Sequence, residues 1–324
     1  MTISRRDFCI AAGLGLPASL MVTPAQSGAY PNRPVAMICS TPAGNGPDVI
    51  ARIVADGLTK IWGERVVVEN RPGGRAIIAT LAVKKSVPDG YTLYVAIGST
   101  FVILPEVHPD LPFDLQHDIV PIGLIAEQPF AITVDPKLGL NSLADLIAAA
   151  KKRPGELLYG TFRGSAPHLA VEDFLSKAGI KMKFVAYPST GKMIGDVMSS
   201  TIAVAVESLS GLGGAIAGGQ IKALAVSSAK RLPEYPDLPT VAETIPGYTA
   251  KGWFALMAPA GTPKAILKKV NADLNAVLAQ PEVKRKLASL GTYSHATTPA
   301  ETAQYIADER AFWKPVIKRM HLMN

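Results

Sequence analysis

The apolar residues of this chain switch between two spacings. Continuous runs with β-branched members read as buried strands over 35–39, 66–69, 92–96, 157–159, 183–187, 202–206, 223–227 and 253–257. Apolar residues three and four apart predict helices over 76–85, 142–152, 167–178, 193–199, 263–279, 282–289 and 301–319. Ile50, Ile53, Val54, Leu58 and Ile61 carry the same spacing directly after the first strand. Residues 119–134 are a long extended run interrupted at Glu127-Gln128-Pro129, the pattern of a strand passing from one lobe into another. Residues 230–248 are rich in proline and lack a period, so they read as a connection. Strands alternating with helices predict an α/β chain, each lobe a mostly parallel sheet flanked by helices. The expected division is 30–126 with 228–324 as lobe 1 and 127–227 as lobe 2.

Two strand-to-helix loops stand out. Ser40-Thr41-Pro42-Ala43-Gly44-Asn45-Gly46-Pro47-Asp48 is rich in turn formers, and Pro47 suits a first helical turn. Asn45 or Gly46 can cap, and Asp48 complements the helix dipole. Unpaired N–H groups at such a helix start make an anion site, although a plain connection has the same pattern. The loop lacks the Gly-Lys-Ser/Thr of a P-loop and the G-x-G-x-x-G of a dinucleotide site. In the second loop, Gly160-Thr161-Phe162-Arg163-Gly164-Ser165 precedes Ala166-Pro167-His168, with Ser165 or Ala166 as the cap. Val206-Glu207-Ser208 and the turn Tyr187-Pro188-Ser189-Thr190-Gly191 fall on the same sheet edge, outside which ligands bind in open α/β sheets.

Composition narrows the classes. With 324 residues, 48% hydrophobic and 18% charged, the chain folds and has room for two lobes. Its net charge of +7 is spread without a long basic run, and aromatics are only 6%, which disfavours a nucleic-acid surface. Diffuse positive charge suits attraction of small anions, and suits solubility equally well. Five scattered histidines and two cysteines, Cys9 and Cys39, give no metal-ligand or cofactor spacing. Ser4-Arg5-Arg6-Asp7-Phe8 ahead of an apolar stretch, with small residues near 23–29, reads as a twin-arginine export signal over 1–29. Cleavage is then expected between Gln26 and Tyr30, leaving Cys39 alone and without a disulfide. No G-x-S-x-G elbow occurs, and Ser165 and His168 share one helical turn without a third partner. His168 therefore reads first as a structural histidine at a helix start. Asp110, Asp114 and Asp118 lie among prolines and read as a solvated loop.

Several segments together carry a resemblance. They are Tyr30-Pro31-Asn32-Arg33-Pro34, Pro42-Ala43-Gly44 with Asp48, Val68-Glu69-Asn70-Arg71-Pro72-Gly73, Pro88-Asp89-Gly90-Tyr91-Thr92-Leu93 and the run from Trp253 to Pro263. The chain resembles the Bug (Bordetella uptake gene) family, the substrate-binding receptors of tripartite tricarboxylate transporters, over essentially its whole mature length. The resemblance implies a two-lobed periplasmic-binding-protein fold of type II and no enzymatic activity. It also implies a monomer that closes on a small carboxylate and hands it to membrane permease subunits. It further implies that the carboxylate is held largely by backbone N–H groups of the two loops. The candidate ligand-binding residues are Pro42, Ala43, Gly44, Asn45, Asp48, Ser99, Arg163, Ser165, His168, Thr190 and Glu207, with no metal and no cofactor.

The chain departs from the family pattern in both loops and around Ser99. The second loop is one residue short and carries Phe162 and Arg163 side by side. Arg163 is expected to reach into the cleft and grip a carboxylate, with Phe162 or Phe101 available to stack on an aromatic ligand. The alternatives are an exported α/β hydrolase of carboxylic esters using Ser165 or Ser99, and a sensor that presents its ligand to a signalling partner.

Overall fold

The computed structural model describes residues 30–320, so the export signal expected over 1–29 lies outside the described residues. In chain order the elements are β1 Val35–Cys39, α1 Gly46–Trp62, β2 Val66–Asn70, α2 Ile77–Lys84, β3 Thr92–Ile97, α3 Gly98–Val102, α4 Leu104–Val107 and β4 Ile119–Val134. They continue with α5 Leu143–Lys152, β5 Leu158–Thr161, α6 Ala166–Ala178, β6 Lys183–Ala186, α7 Thr190–Met198, β7 Val204–Ser208, α8 Leu209–Ala217 and β8 Lys222–Val226. The chain ends with β9 Lys251–Pro259, α9 Lys264–Ala279, α10 Pro281–Ser289, β10 Tyr293–Ser294 and α11 Pro299–Arg319.

The strands join in the order β2-β1-β3-β9-β4-β7-β5-β6, with β8 and β10 also paired to β4. Between the named strands, parallel pairing is confined to β1 with β2 and β3, and to β5 with β6 and β7. The strands that join these groups, β4 and β9, are antiparallel to their neighbours. β4 pairs with β9 from Ile119 to Pro129, then with β7 from Phe130 to Val134. It is unbroken at Glu127-Gln128-Pro129, contrary to the sequence pattern. Pro129 falls where β4 leaves β9 for β7, so its missing N–H removes no interior ladder bond. The return connection is fixed at the same point: Phe130 N–H donates to Ser227 Oγ and Ser227 N–H to Phe130 O, both at 2.8 Å.

Helix α1 shows how local sequence positions the site. Ile50, Ala51, Val54, Ala55 and Leu58 form its buried stripe, and left-handed Gly63 ends it. Gly57 permits close packing on α9: a Cβ there would lie 2.4 Å from Val277. A second cluster continues from Phe101 and Trp253 to Leu169, Phe174 and Val204, with Trp313 and Val316 of α11 covering it. One core face therefore runs without interruption beneath both groups of parallel strands.

Helix α8 is not predicted by the periodicity. Three glycines in Leu-Ser-Gly-Leu-Gly-Gly-Ala-Ile-Ala depress its intrinsic propensity, and burial of Leu209, Leu212 and Ala215 overrides that. The short α3 and α4 and the two-residue β10 are likewise absent from the pattern.

Candidate functional site

The parallel strands β1, β5, β6 and β7 each run directly into a helix, α1, α6, α7 and α8, and β3 runs into the short α3. All five helix starts meet around one cavity of about 760 Å³. Gly46 of α1, Ala166 of α6, Thr190 of α7, and Ser210 and Gly211 of α8 line it. The first N–H groups of a helix have no intrahelical partner, and the dipole adds positive potential there. Among the lining residues there is no lysine or arginine, and Glu207 is the only ionisable one. The cavity attracts anions through its backbone rather than through charged side chains.

In the first loop, Asp48 holds the shape. Its carboxylate accepts from Gly44 N–H at 2.8 Å, Arg52 Nε at 3.0 Å and Asn70 Nδ2 at 2.7 Å. Burial alone would push this carboxyl up, but the bonds from Arg52, Asn70 and Gly44 outweigh it and hold it below the usual range. Gly44, at φ +85°, takes the left-handed turn that lets its N–H reach Asp48. Gly44 N–H is thus spent inside the protein. The N–H groups of Gly46 and Asp48 have no acceptor among the described residues.

The second loop repeats the device with a histidine. His168 Nδ1 accepts from Gly164 N–H at 3.2 Å, and the ring stacks on Phe184 with centroids 4.0 Å apart. Burial, with help from Arg163, pushes His168 down to about 4, so it is neutral at physiological pH. Ser165 caps α6: its Oγ accepts from His168 N–H at 3.3 Å and donates to Phe162 O at 2.7 Å. His168 Nδ1 thus faces a backbone N–H, and the Ser165 hydroxyl donates to a carbonyl. No nucleophile–base pair exists at this position.

The opposite wall comes from β7 and α8. Glu207 Oε1 accepts from Ser208 N–H at 2.9 Å, while its buried Oε2 has no partner among the described residues. Burial pushes the Glu207 carboxyl up. Ser208 and Ser210 exchange a hydrogen bond at 2.9 Å, and Gln128 of β4 reaches Ser210 at 3.4 Å. Trp253, Phe254 and Phe130 form the apolar floor.

Of the residues singled out in the sequence, Gly44, Asn45, Ser99, Ser165, Thr190 and Glu207 line the cavity together. Asp48 and His168 lie behind the loops they hold, and Pro42 and Ala43 are not part of the wall. Phe162 faces the cavity, whereas Arg163 lines an adjoining chamber. Phe101 is buried against Trp253 and does not face the cleft. The sequence pattern placed Ser208 at the sheet edge but missed Ser210 and Gly211, because it missed α8. The usable signal was a serine directly after a buried strand, which is an N-cap pattern. Among the described residues no three His, Cys, Asp or Glu side chains gather as a metal site would require.

Residues 50–322 match the model of the tripartite tricarboxylate transporter family receptor. The chain belongs to this receptor family. It is 34% identical to protein BugT of Bordetella pertussis over 309 residues, covering 94% of this chain and 95% of that one. Among solved structures it is similar to R. palustris Rpa4515 with adipate, at 32% identity and a TM-score of 0.79, covering 89% of this chain and 97% of that one. It is also similar to the periplasmic binding protein BugD, at 28% identity and a TM-score of 0.74, covering 90% and 98%. Members of this receptor family are solute-binding proteins with the mixed α/β fold seen here, and they are not enzymes.

Proposed function

We propose that the chain is a periplasmic receptor that captures a small carboxylate between its two lobes for a tripartite tricarboxylate-type transporter. The observation that carries this reading is the convergence of four helices of nine or more residues on one cavity free of fixed cations. Such a site binds a carboxylate by N–H donation and offers little to a neutral amide or ester. The adipate held by a relative 32% identical supports the same class. In this reading lobe 1 is 30–126 with 228–324 and lobe 2 is 127–227, and they hinge where β4 and the segment after Ser227 cross. The protein acts as a monomer that docks on permease subunits, after export by the twin-arginine route.

A thermal-shift screen of carboxylates on residues 30–324 tests the reading. A ligand at 100 times its dissociation constant adds about 2.7 kcal/mol of stability. Acids that shift the melting temperature while their amides do not would support it; a screen in which no acid outperforms its amide would overturn it. Mass spectrometry of the periplasmic protein tests export, with a start between Gln26 and Tyr30 expected and retention of residues 1–22 contradicting it.

A further inference from the structure

A cavity that attracts anions has an acid in its wall. Glu207 is the single ionisable residue lining it. The side chain leaves the end of β7 along the first turn of α8, where a Cβ on Gly211 would lie 3.2 Å from Glu207 Cγ. The same Cβ would lie 3.3 Å from Thr190 Cγ2, at the start of α7. Glu207 is therefore held where two of the helix starts meet. Oε1 accepts from Ser208 N–H at 2.9 Å, and Oε2 is buried without a partner among the described residues. A buried polar atom without a partner is costly, and far more so when it carries charge.

The elements packed on β7 bring no cation to offset that charge. β4 sets Ala131 opposite Glu207, and its Glu127 is engaged with Lys251 and His295. Helix α8 contains no ionisable residue. On α7, Lys192 pairs with Asp196 at 2.8 Å, and Tyr187 Oη, just ahead of that helix, donates to the same carboxylate at 2.9 Å. On β5 Tyr159 bonds to Glu172 of α6, where Asp173 also pairs with Lys177 at 2.6 Å. His168 is neutral, and Arg163 lines the adjoining chamber. Burial, which raises the Glu207 carboxyl, prevails over the Ser208 hydrogen bonds, which lower it.

We propose that Glu207 takes up one proton when the receptor captures its anion, and that its O–H then donates to the bound carboxylate. The proton passes from solvent to Oε2, and no other covalent bond forms or breaks. This inference rests on the carboxylate reading of the main cavity and adds to it the residue that responds to the anion. Of two carboxylates sharing a site, one is driven to its protonated form unless a cation joins them, and this cavity supplies none. Protonation turns Glu207 from a repelling neighbour into a donor, on the wall opposite the first N–H groups of α1 and α6. Anion and proton are thereby captured together.

Calorimetry on residues 30–324, in buffers of low and high ionisation enthalpy, counts the protons taken up per ligand. The probes are acetate, succinate, adipate and benzoate between about pH 5.5 and 9, a range that starts above the ordinary carboxyl values. Protons bound by the probe itself are common to wild type and Glu207→Gln and cancel in their difference. The excess uptake by wild type is expected to approach one proton between the values of this carboxyl in the free and the loaded protein. Across that window wild-type affinity should fall by up to about tenfold per pH unit, while that of Glu207→Gln stays flat. Glu207→Ala, which has no donor, should also be flat and should bind more weakly than Glu207→Gln. The wild-type count above about pH 7 needs no variant, since the probes are ionised there. A wild-type count of zero throughout, or equal uptake by Glu207→Gln, would overturn the inference and leave the carboxylate reading intact. If none of the four acids bound the wild type, the reading of the main cavity would fall, and this inference with it.

Discussion

Removing the carboxylate of Asp48 should loosen the first loop and weaken ligand binding together. The side chain is 2% exposed and accepts three hydrogen bonds, from Gly44 N–H, Arg52 and Asn70. A hydrogen bond to a charged group contributes about 1.5–3 kcal/mol net. The Arg52 share is small, because its head is 50% exposed and re-solvates when the partner is lost. Asn70 keeps its second bond, to Thr41 O at 2.9 Å. What remains is the Gly44 N–H, on an exposed residue that water reaches, and one half-buried amide proton without an acceptor, so Asp48→Ala should cost about 1–3 kcal/mol. Asp48→Asn should be nearly as damaging. Oδ1 faces a donor and Oδ2 faces two, so the new NH₂ meets a donor in either orientation. Urea unfolding followed by tryptophan fluorescence measures the cost, and titration with a carboxylate found by the thermal-shift screen measures the binding. The Asp48 carboxyl is held below its ordinary 3.8. The stability it adds is therefore present above that value and lost as pH falls through the folded-state value, and wild type and variant should converge in strong acid. Variants within about 0.5 kcal/mol of wild type at pH 7, with unchanged affinity, would refute this account of the loop.

Glu207→Gln should stabilise the ligand-free protein at neutral pH, because burial disfavours the ionised wild-type carboxylate; the gain should vanish as pH falls below 4.5. No other ionisable residue lines the cavity beside Glu207, so a bound carboxylate should favour its protonated form further. Wild-type affinity should then fall as pH rises and that of Glu207→Gln should not; parallel pH profiles would contradict this. For His168, a value of about 4 in the fold against the ordinary 6.5 means stability lost as pH falls between the two, about 3 kcal/mol at most. The stability difference between His168→Phe and wild type should therefore shift in favour of the variant over that window, and a pH-independent difference would count against a neutral, buried His168. Gly98→Ala should cost about 1–3 kcal/mol, since a Cβ there would lie 2.8 Å from the buried Trp253 ring; a wild-type unfolding midpoint would show that the ring can yield.

Much of this organisation is legible in the sequence because it rests on local rules. β1 and α1 follow from one apolar run, a turn-rich loop and a helical stripe. The cap at Ser165 and the proline behind it announce α6. The proline-rich stretch from 230 to 248 contains the short turn Val241–Glu243 and single bridges at Leu232, Tyr235 and Thr240, in keeping with its lack of period. What stayed hidden depends on tertiary context. Three glycines conceal α8, which only burial of Leu209, Leu212 and Ala215 makes a helix. Asp48 reads as a dipole-compensating residue; its clamp on Gly44 and Asn70 spans 22 positions of sequence. Arg75 and Arg163, 88 positions apart, line one chamber beside the main cavity, and the left-handed backbone at Arg75 has no signature in the residue type itself.

The central claim is that backbone N–H groups at several helix starts hold one carboxylate together. Amide chemical shifts of ¹⁵N-labelled residues 30–324, titrated with an acid from the thermal-shift screen and then with its amide, test it directly. The account predicts that Gly46, Ala166, Thr190 and Gly211 move together, with one apparent dissociation constant, for the acid and not for the amide. Shifts confined to one of these loops, or equal responses to acid and amide, would contradict it.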